Sequence, residues 1–395
     1  MSKIRQFRWW IVAISVLVAA IVLSRSPQSV RPVDRYQRAL LALDAGNLRA
    51  VRQELDWFRR NAGNESYRSL LAGVLLLKDG DAAAALHELQ HAVNDEATRV
   101  EAWTHAAEAY YILGRFTDAV ATARSALEFD SQAHAARRWL AVAYYDLGAN
   151  SYATDELIIL SREVPTDARP DRLLGLIGKD TEQFAEAVKH YRESLRRDSR
   201  PNDLHMVLTE LAECQLKLQD HAGCLETLTP VPITAETLVL QAEAYEGLGR
   251  HAQAHEAVDR AVELESEYIP ALIYKATLLM TGGQPQAAVP ILEQAVRIHP
   301  HDGTARFKLA QAYNQVGDTE HAAEQTRLME ESQKLEREFI DLHRQVSADA
   351  TNAELRYQLG TLARTLHKPD LARMWLRAAV ALDPNHAAAR KALAE

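Results

Sequence analysis

The spacing of the glycines constrains the fold of this chain more than any other feature. Seven glycines form two series in which neighbours are 34 residues apart: Gly46, Gly80, Gly114 and Gly148, then Gly249, Gly283 and Gly317. A constant period of this length is typical of arrays in which each repeat buries its apolar face against the next repeat. The spacing therefore predicts a repeat protein rather than one globular core.

The same period defines ten repeats along the chain. They begin at residues 32, 66, 100, 134, 168, 205, 235, 269, 303 and 353. The eighth residue of every repeat is Ala or Gly, and the twentieth is no larger than valine. Antiparallel helices need small residues where their axes approach closely, so each repeat is predicted to be a helical hairpin. Gly at position 15 suits the left-handed residue that ends the first helix, and Pro165, Pro300 and Pro384 at position 32 stop the second.

Larger apolar residues recur around these small ones, as Trp103, Tyr110 and Phe116 do in the repeat from residue 100. This pattern resembles the tetratricopeptide repeat (TPR) family from residue 32 to residue 386. The resemblance implies an all-α fold, an α-solenoid of about ten helical hairpins wound into a right-handed superhelix. It also implies that the first helices line a concave groove that binds peptides or other proteins. We expect a scaffold or adaptor with no cofactor and no enzymatic activity.

Three departures from the repeat are informative. The repeat from residue 168 has Glu182 where the turn glycine is expected, and the repeat from residue 205 is cut short by the two prolines of "TPVPIT". Between the repeats from 303 and 353 lie about 16 extra residues, which predict a long second helix with an insertion at about 333–352. The last segment, 387–395, is predicted to be a helix that caps the array.

The long helix carries apolar residues at heptad spacing in the segment 328–346, which includes Leu328, Leu335 and Leu342. One interpretation is that this segment packs on its own solenoid. The alternative is a short coiled-coil contact with a partner or with a second copy of the chain, since about three heptads is the lower limit for that arrangement.

The N-terminal segment is predicted to associate with a membrane. Residues 1–8 form a short basic tail with Lys3, Arg5 and Arg8, residues 9–24 are uncharged, and residues 25–31 form a linker. The uncharged run is intermediate in length between a signal peptide and a full span. We favour an uncleaved transmembrane signal anchor over a cleaved signal peptide or a buried core helix. The tail would then be cytoplasmic and the repeats extracytoplasmic, or periplasmic in a bacterium; cleavage would give a secreted or periplasmic protein.

Charge and cysteine content exclude other classes of protein. The formal net charge is −9, whereas nucleic-acid-binding proteins depend on clustered basic residues, so nucleic acid is not an expected partner. The chain has only two cysteines, Cys214 and Cys224, too few for a disulfide framework, and we interpret both as packed thiols.

One motif indicates an enzymatic alternative. "HELQH" places His87 and His91 one helical turn apart with Glu88 between them, as in zinc metallopeptidases. However, Leu89 falls on a core position of the repeat, so the two histidines are predicted to face solvent. A zinc peptidase also needs a third protein ligand; Glu101 and Glu108 are available in the sequence, but both belong to the first helix of the next repeat.

The TPR resemblance places positions 2, 5, 6, 9, 12 and 13 of each first helix in the groove. In the repeats from 100, 134 and 168 these positions give the candidate partner-binding residues: Thr104, Glu108, Tyr111, Arg138, Val142, Tyr145, Arg169, Arg172, Leu176 and Lys179. Exposed tyrosine and arginine are enriched in protein–protein hot spots. The alternative for each residue is an ordinary solvated helix face.

Overall fold

A computed structural model of the chain describes residues 31–61, 63–349 and 352–394. Every regular element within these residues is an α-helix, and the helices are α1 (Pro32–Asp44), α2 (Leu48–Arg60), α3 (Glu65–Lys78), α4 (Ala82–Ala92), α5 (Glu96–Ile112), α6 (Phe116–Phe129), α7 (His134–Asp146), α8 (Asn150–Glu163), α9 (Arg169–Asp180), α10 (Phe184–Arg197), α11 (Leu204–Lys217), α12 (His221–Leu228), α13 (Ala235–Gly247), α14 (His251–Leu264), α15 (Ile269–Thr281), α16 (Pro285–Ile298), α17 (Gly303–Val316), α18 (Thr319–Ala348), α19 (Ala353–Thr365), α20 (Pro369–Leu382) and α21 (Ala387–Ala394). The chain is all-α over this part, and its helical hairpins follow the predicted repeats.

The helices form two compact units. The described residues up to 112, together with 122–136, form the N-terminal unit, and residues 113–121 with 137–394 form the C-terminal unit. In the N-terminal unit each helix from α1 to α5 packs on the next, and α3 also contacts α5. One apolar stripe of each helix supplies the core, as Val51, Leu55 and Phe58 do in α2.

In the C-terminal unit the first helices of successive hairpins contact each other as well as their own second helices. The contacts run from α9 to α11, α13, α15 and α17 in turn. First helices therefore form one continuous layer of this unit, with the apolar core between that layer and the second helices. The core is well packed: Leu272, Ala295 and Ala305, for example, are buried together where two hairpins meet.

Close approach of the two helices in a hairpin depends on the small residue at position 8. A Cβ placed on Gly73, Gly175 or Gly360 would lie within 2.7–2.8 Å of the side chain at position 24, which is Leu89, Tyr191 or Leu376. The small residue at position 20 has another neighbour, because a Cβ on Gly178 at position 11 would lie 3.1 Å from the Cβ of Ala187. The predicted close approach is confirmed at these positions.

The turn glycines adopt the left-handed conformation that their position predicts. The seven glycines of the two series have φ between 69° and 89°. Glu182, Gln219 and His367 occupy the same position in three repeats and have φ of 60°, 60° and 56°. The turn geometry is therefore kept even where a side chain makes it unfavourable.

The predicted irregular repeats differ from the others as expected. Helix α12 has only 8 residues and α18 has 30. The end of α18 packs within the chain, because Phe339, Leu342 and Val346 form one apolar cluster with Leu359 and Trp375. At the end of the array α21 buries Ala389 and Ala392.

The predicted transmembrane segment, residues 9–24, lies outside the described residues, as do the basic tail and nearly all of the linker. Among residues 31–61, 63–349 and 352–394, no helix is both long and apolar enough to cross a membrane.

Candidate protein-binding surface

The ten candidate groove residues belong to the first helices α5, α7 and α9. Thr104, Glu108 and Tyr111 lie on α5 in the N-terminal unit, and the other seven lie on α7 and α9 in the C-terminal unit.

In the N-terminal unit the candidate residues differ in accessibility. Thr104 is buried, and its hydroxyl donates a hydrogen bond of 2.8 Å to the Val100 carbonyl. The structure therefore places Thr104 in the helix packing rather than on the expected surface, because a threonine hydroxyl can be satisfied within its own helix. Glu108 and Tyr111 are half-buried on the same helix.

Glu108 joins two first helices through its carboxylate. It accepts a hydrogen bond of 3.1 Å from Lys78 on α3, and its other oxygen lies 3.0 Å from Nδ1 of His105. Burial raises the pKa of Glu108, but the hydrogen bonds and charges of His105 and Lys78 outweigh burial, so the pKa lies below the usual value of 4.5. Glu108 is therefore ionised near neutral pH.

In the C-terminal unit Arg138 and Arg169 share one carboxylate. Arg169 donates two hydrogen bonds of 2.8 Å to Asp167, and Arg138 lies 3.5 Å from the same group. Burial and the positive charge of Arg169 lower the pKa of Arg138, and Asp167 only partly opposes them. Arg169 is exposed, whereas Arg138 is half-buried beside Val142 on α7.

The remaining polar candidates contact the next first helix. The Tyr145 hydroxyl donates a hydrogen bond of 2.6 Å to Asp180, at the end of α9. Arg172 on α9 forms an ion pair with Asp203 and lies 4.0 Å from Glu210 on α11. Lys179 donates a hydrogen bond of 2.5 Å to Glu213 on α11, and Leu176 is half-buried between these two cations.

These contacts form a chain of polar pairs across the first-helix layer. Burial lowers the pKa of Lys179, but the hydrogen bond and charge of Glu213 outweigh burial and raise it above the usual 10.5. The cations that sequence analysis selected are thus already paired with carboxylates.

Sequence analysis missed the carboxylates of this layer. Glu210 and Glu213 on α11 and Glu236 and Glu243 on α13 fall on groove positions of the repeats from 205 and 235. The groove positions of the repeat could have identified them, because Glu210 and Glu213 are at positions 6 and 9, and Glu236 and Glu243 at positions 2 and 9.

The metallopeptidase alternative finds no support in the described residues. His87 and His91 are exposed with their ring centroids 5.3 Å apart, and Leu89 between them is buried, as the repeat predicts. No group of three His, Cys, Asp or Glu side chains in the described part of the chain could hold a metal ion.

Comparisons with protein families agree with the repeat. Models described as tetratricopeptide repeat match residues 70–134, residues 279–337, and residues 235–268 and 353–386. A search of curated protein sequences finds no match.

Solved structures with a similar fold have low sequence identity. One is a tetratricopeptide repeat protein from Parabacteroides merdae, with 14% identity, 64% of this chain and 100% of that chain covered, and a TM-score of 0.47. Another is the APC/C hetero-tetramer Cut9–Hcn1, with 13% identity, coverage of 93% and 90%, and a TM-score of 0.38. A third is PilW, a type IV pilus biogenesis factor, with 14% identity, coverage of 49% and 90%, and a TM-score of 0.41. The family models identify tetratricopeptide repeats within residues 70–134, 235–268, 279–337 and 353–386, and the helical hairpins of the structure agree with them there.

Proposed function

We propose that this protein is a scaffold that binds another protein, or a peptide segment of one, through the first-helix layer of its C-terminal unit. The observation that supports the proposal is the continuity of that layer: the first helices from α9 to α17 contact each other in turn. Their outward side chains therefore form one extended surface rather than separate patches. A surface of this kind suits an extended segment that contacts several repeats at once.

Leu176 in this layer, and Tyr145 on α7, which is hydrogen-bonded to Asp180 at the end of α9, are suited to a protein interface. Tyr145 and Leu176 are half-buried, so each combines apolar contact area with access from solvent. The ion pairs around them fix the neighbouring long side chains, which lowers the entropy lost on binding.

Photo-crosslinking in native membranes tests the surface. A photoreactive residue in place of Tyr145 or Leu176 in the full chain is expected to capture the same protein, identified by mass spectrometry. The control position is Arg192, which is exposed on the second helix α10. Capture from Arg192 but not from Tyr145 or Leu176 would show that the other face of the array binds the partner.

We further propose that residues 9–24 anchor the protein in a membrane, with the basic tail in the cytoplasm and the repeats on the opposite side. The charge-free run after Lys3, Arg5 and Arg8 supports this proposal. A reporter domain that folds only outside the cytoplasm should be active when it is fused after residue 395. A reporter domain that folds only in the cytoplasm should be inactive at the same position. N-terminal sequencing of the mature protein distinguishes an anchor from a cleaved signal peptide.

A further inference from the structure

Three histidines from two distant segments of the C-terminal unit meet beside the long helix α18. His299 and His301 lie in the linker between α16 and α17, and His367 lies in the turn between α19 and α20. The ring centroids of His299 and His367 are 4.8 Å apart, and those of His301 and His367 are 6.4 Å apart. This histidine cluster places the turn of the hairpin α19–α20 against an earlier linker of the array.

The length of α18 accounts for the contact. Helix α18 has 30 residues, whereas the second helices α16 and α20 have 14 each. At 1.5 Å per residue, the additional turns displace the next hairpin by about 24 Å along α18. His301 contacts Ser332 in the middle of α18, so the α19–α20 turn lies at that level of the helix rather than beyond its end.

Hydrogen bonds determine which nitrogen of two rings accepts an additional proton. The Ser332 hydroxyl donates its only proton to the Leu328 carbonyl over 3.0 Å, so its oxygen accepts from Nδ1–H of His301 over 3.1 Å. Nδ1–H of His367 donates to the Thr365 carbonyl over 3.2 Å, because a carbonyl oxygen only accepts. In both rings a further proton therefore binds Nε2 and adds a positive charge to the cluster.

The histidine cluster differs from other histidines of the protein in having no carboxylate partner. Five histidines elsewhere in the described residues have a carboxylate oxygen within 3.2 Å, so protonation gives each of them an ion pair. They are His105, His190, His251, His321 and His386. Within the described part of the chain His299, His301 and His367 form no such pair, and their rings contact each other instead.

The charged groups around the cluster do not favour protonation. Asp302 in the linker caps the start of α17, and Glu324 and Glu331 on α18 both pair with Arg327. Lys368, which follows His367, lies over an aromatic ring of α18. The carboxylates of the surrounding elements are thus engaged elsewhere, and a charged imidazole meets further cations.

Charging each ring of the linker is unfavourable for a separate reason. Burial lowers the pKa of His301 below its usual 6.5, and the positive charges of His367, Arg306 and His299 lower it further. Nδ1 of His299 is buried without a hydrogen bond, so a charged His299 would place an unpaired N–H donor inside the protein.

A fourth histidine connects the same hairpin to α18. The ring of His343 on α18 packs edge-on against Trp375 on α20, with centroids 5.5 Å apart. Burial lowers the pKa of His343. This contact adjoins the apolar cluster in which Val346 of α18 packs with Leu359 and Trp375. The hairpin α19–α20 is therefore attached through imidazole rings at two places.

We propose that the hairpin α19–α20 and the cap α21 are held on the preceding repeats by a pH-sensitive contact, which is closed while His299, His301, His343 and His367 are neutral and opens when they are charged. Because the closed state disfavours the additional protons, attachment is complete above about pH 6.5 and weakens as pH falls below that value. Opening separates α18 from the apolar side of α19 and α20. The inference does not depend on the proposed binding surface of α7 and α9.

Hydrogen–deuterium exchange of the full chain in detergent tests the inference, at about pH 7.5 and about pH 5.5, on either side of the usual histidine pKa. After correction for the intrinsic exchange rate, we expect the protection of backbone amides in α19–α21 to fall about tenfold or more at the lower pH. A difference of one pKa unit between the closed and open states gives up to about tenfold for each imidazole. Amides in α15 serve as the internal reference and should keep their protection.

Two variants change the charge of the cluster in opposite directions. His301→Gln with His367→Gln keeps hydrogen-bond donors but removes two titrating groups, so α19–α21 should lose less protection at the lower pH than in the unmodified chain. His367→Lys places a permanent charge at an exposed position and should reduce the protection of α19–α21 already at about pH 7.5.

The matched control is His87→Gln with His91→Gln. These two imidazoles are 5.3 Å apart but exposed on α4, in the N-terminal unit. The control removes the same number of titrating groups and should leave the response of α19–α21 to pH unchanged.

Equal protection of α19–α21 at the two pH values in the unmodified chain would overturn the inference. The same conclusion follows if the double glutamine variant of His301 and His367 loses as much protection between the two pH values as the unmodified chain. If that variant is poorly protected already at about pH 7.5, His367→Lys and His367→Gln are compared at that pH. Equal protection in these two single variants would show that charge in the cluster does not control the attachment.

Discussion

Arg137 on α7 donates a hydrogen bond of 2.5 Å to Glu156 on α8, 19 residues further along the chain. Arg35 with Glu54 and Arg306 with Gln325 repeat this relationship at the same separation, over 2.8 and 2.7 Å. His190 and Asp171 keep the separation with the residue types exchanged. Each pair joins position 4 of its repeat, on the first helix, to position 23, on the second helix. The repeat from residue 100 instead has Trp103 at position 4. In these four hairpins a polar pair therefore takes the place of the large aromatic residue.

The first prediction concerns this pair. Arg137→Met leaves Glu156 without its partner in a half-buried site, so we expect the free energy of unfolding to fall by about 2 kcal/mol. Arg137→Met with Glu156→Met should recover much of this loss, because two packed apolar side chains need no ion pair. Urea unfolding followed by circular dichroism measures both effects.

The control for this prediction is an exposed ion pair. Lys189 and Glu186 on α10 are 3.1 Å apart with both side chains largely exposed. Lys189→Met should change stability by less than about 0.5 kcal/mol. Equal effects of Arg137→Met and Lys189→Met would mean that the repeated pair contributes nothing specific to the hairpin.

The second prediction concerns the turn in which Glu182 replaces glycine. Glu182 has φ of 60°, a conformation that costs a residue with a Cβ about 1 kcal/mol or more. Glu182→Gly should therefore stabilise the protein by up to about 1 kcal/mol, after the greater flexibility of glycine in the unfolded chain is allowed for. Gly148→Ala, at φ of 72°, should have the opposite effect. Thermal unfolding of both variants checks the prediction, which fails if Glu182→Gly lowers the midpoint.

The third prediction concerns the approach of α9 and α10. A Cβ on Gly175 would lie 2.8 Å from the ring of Tyr191, which is buried and cannot move aside. Gly175→Ala should therefore destabilise the protein by about 1–3 kcal/mol. Gly303→Ala is the control, because a Cβ there meets no atom within 4 Å. Similar unfolding midpoints for the two variants would show that the hairpin adjusts freely around residue 175.

The fourth prediction concerns pH. The pKa of Glu243 is raised by burial and by Glu213, with Lys217 in opposition, so the folded chain binds this proton more tightly than the unfolded chain. The contribution of Glu243 to stability therefore falls as pH rises from about 4.5 through the raised pKa. Glu243→Gln should make the protein more stable at pH 7 and reduce its loss of stability between pH 4.5 and 7.

Chemical unfolding at several pH values measures this effect. Glu256→Gln, at an exposed site on α14, should leave the pH dependence as it is in the unmodified chain. A lower stability of Glu243→Gln at pH 7 would contradict the prediction, because it would show that the charged form of Glu243 is favoured in the folded protein.

Sequence analysis predicted the hairpins well because small residues and turn glycines recur at fixed positions and act locally. Gly148 and Gly317, for example, adopt the left-handed conformation that their position in the repeat requires. The candidate surface was predicted less well. The burial of Thr104 depends on how α5 packs, and the pairing of Lys179 with Glu213 depends on contact between helices of different repeats. A single helix face contains no information about such contacts.

The short helix α12 affects how the C-terminal unit responds to stress. Each repeat in an array is stabilised by its interfaces with the neighbouring repeats. The weakest of these interfaces therefore limits how cooperatively the array unfolds. With 8 residues, α12 is the shortest second helix among the described repeats. Unfolding is therefore expected to propagate up to this point and pause there. A ligand that bridges α11 and α13 would span the gap and make the two sides unfold together.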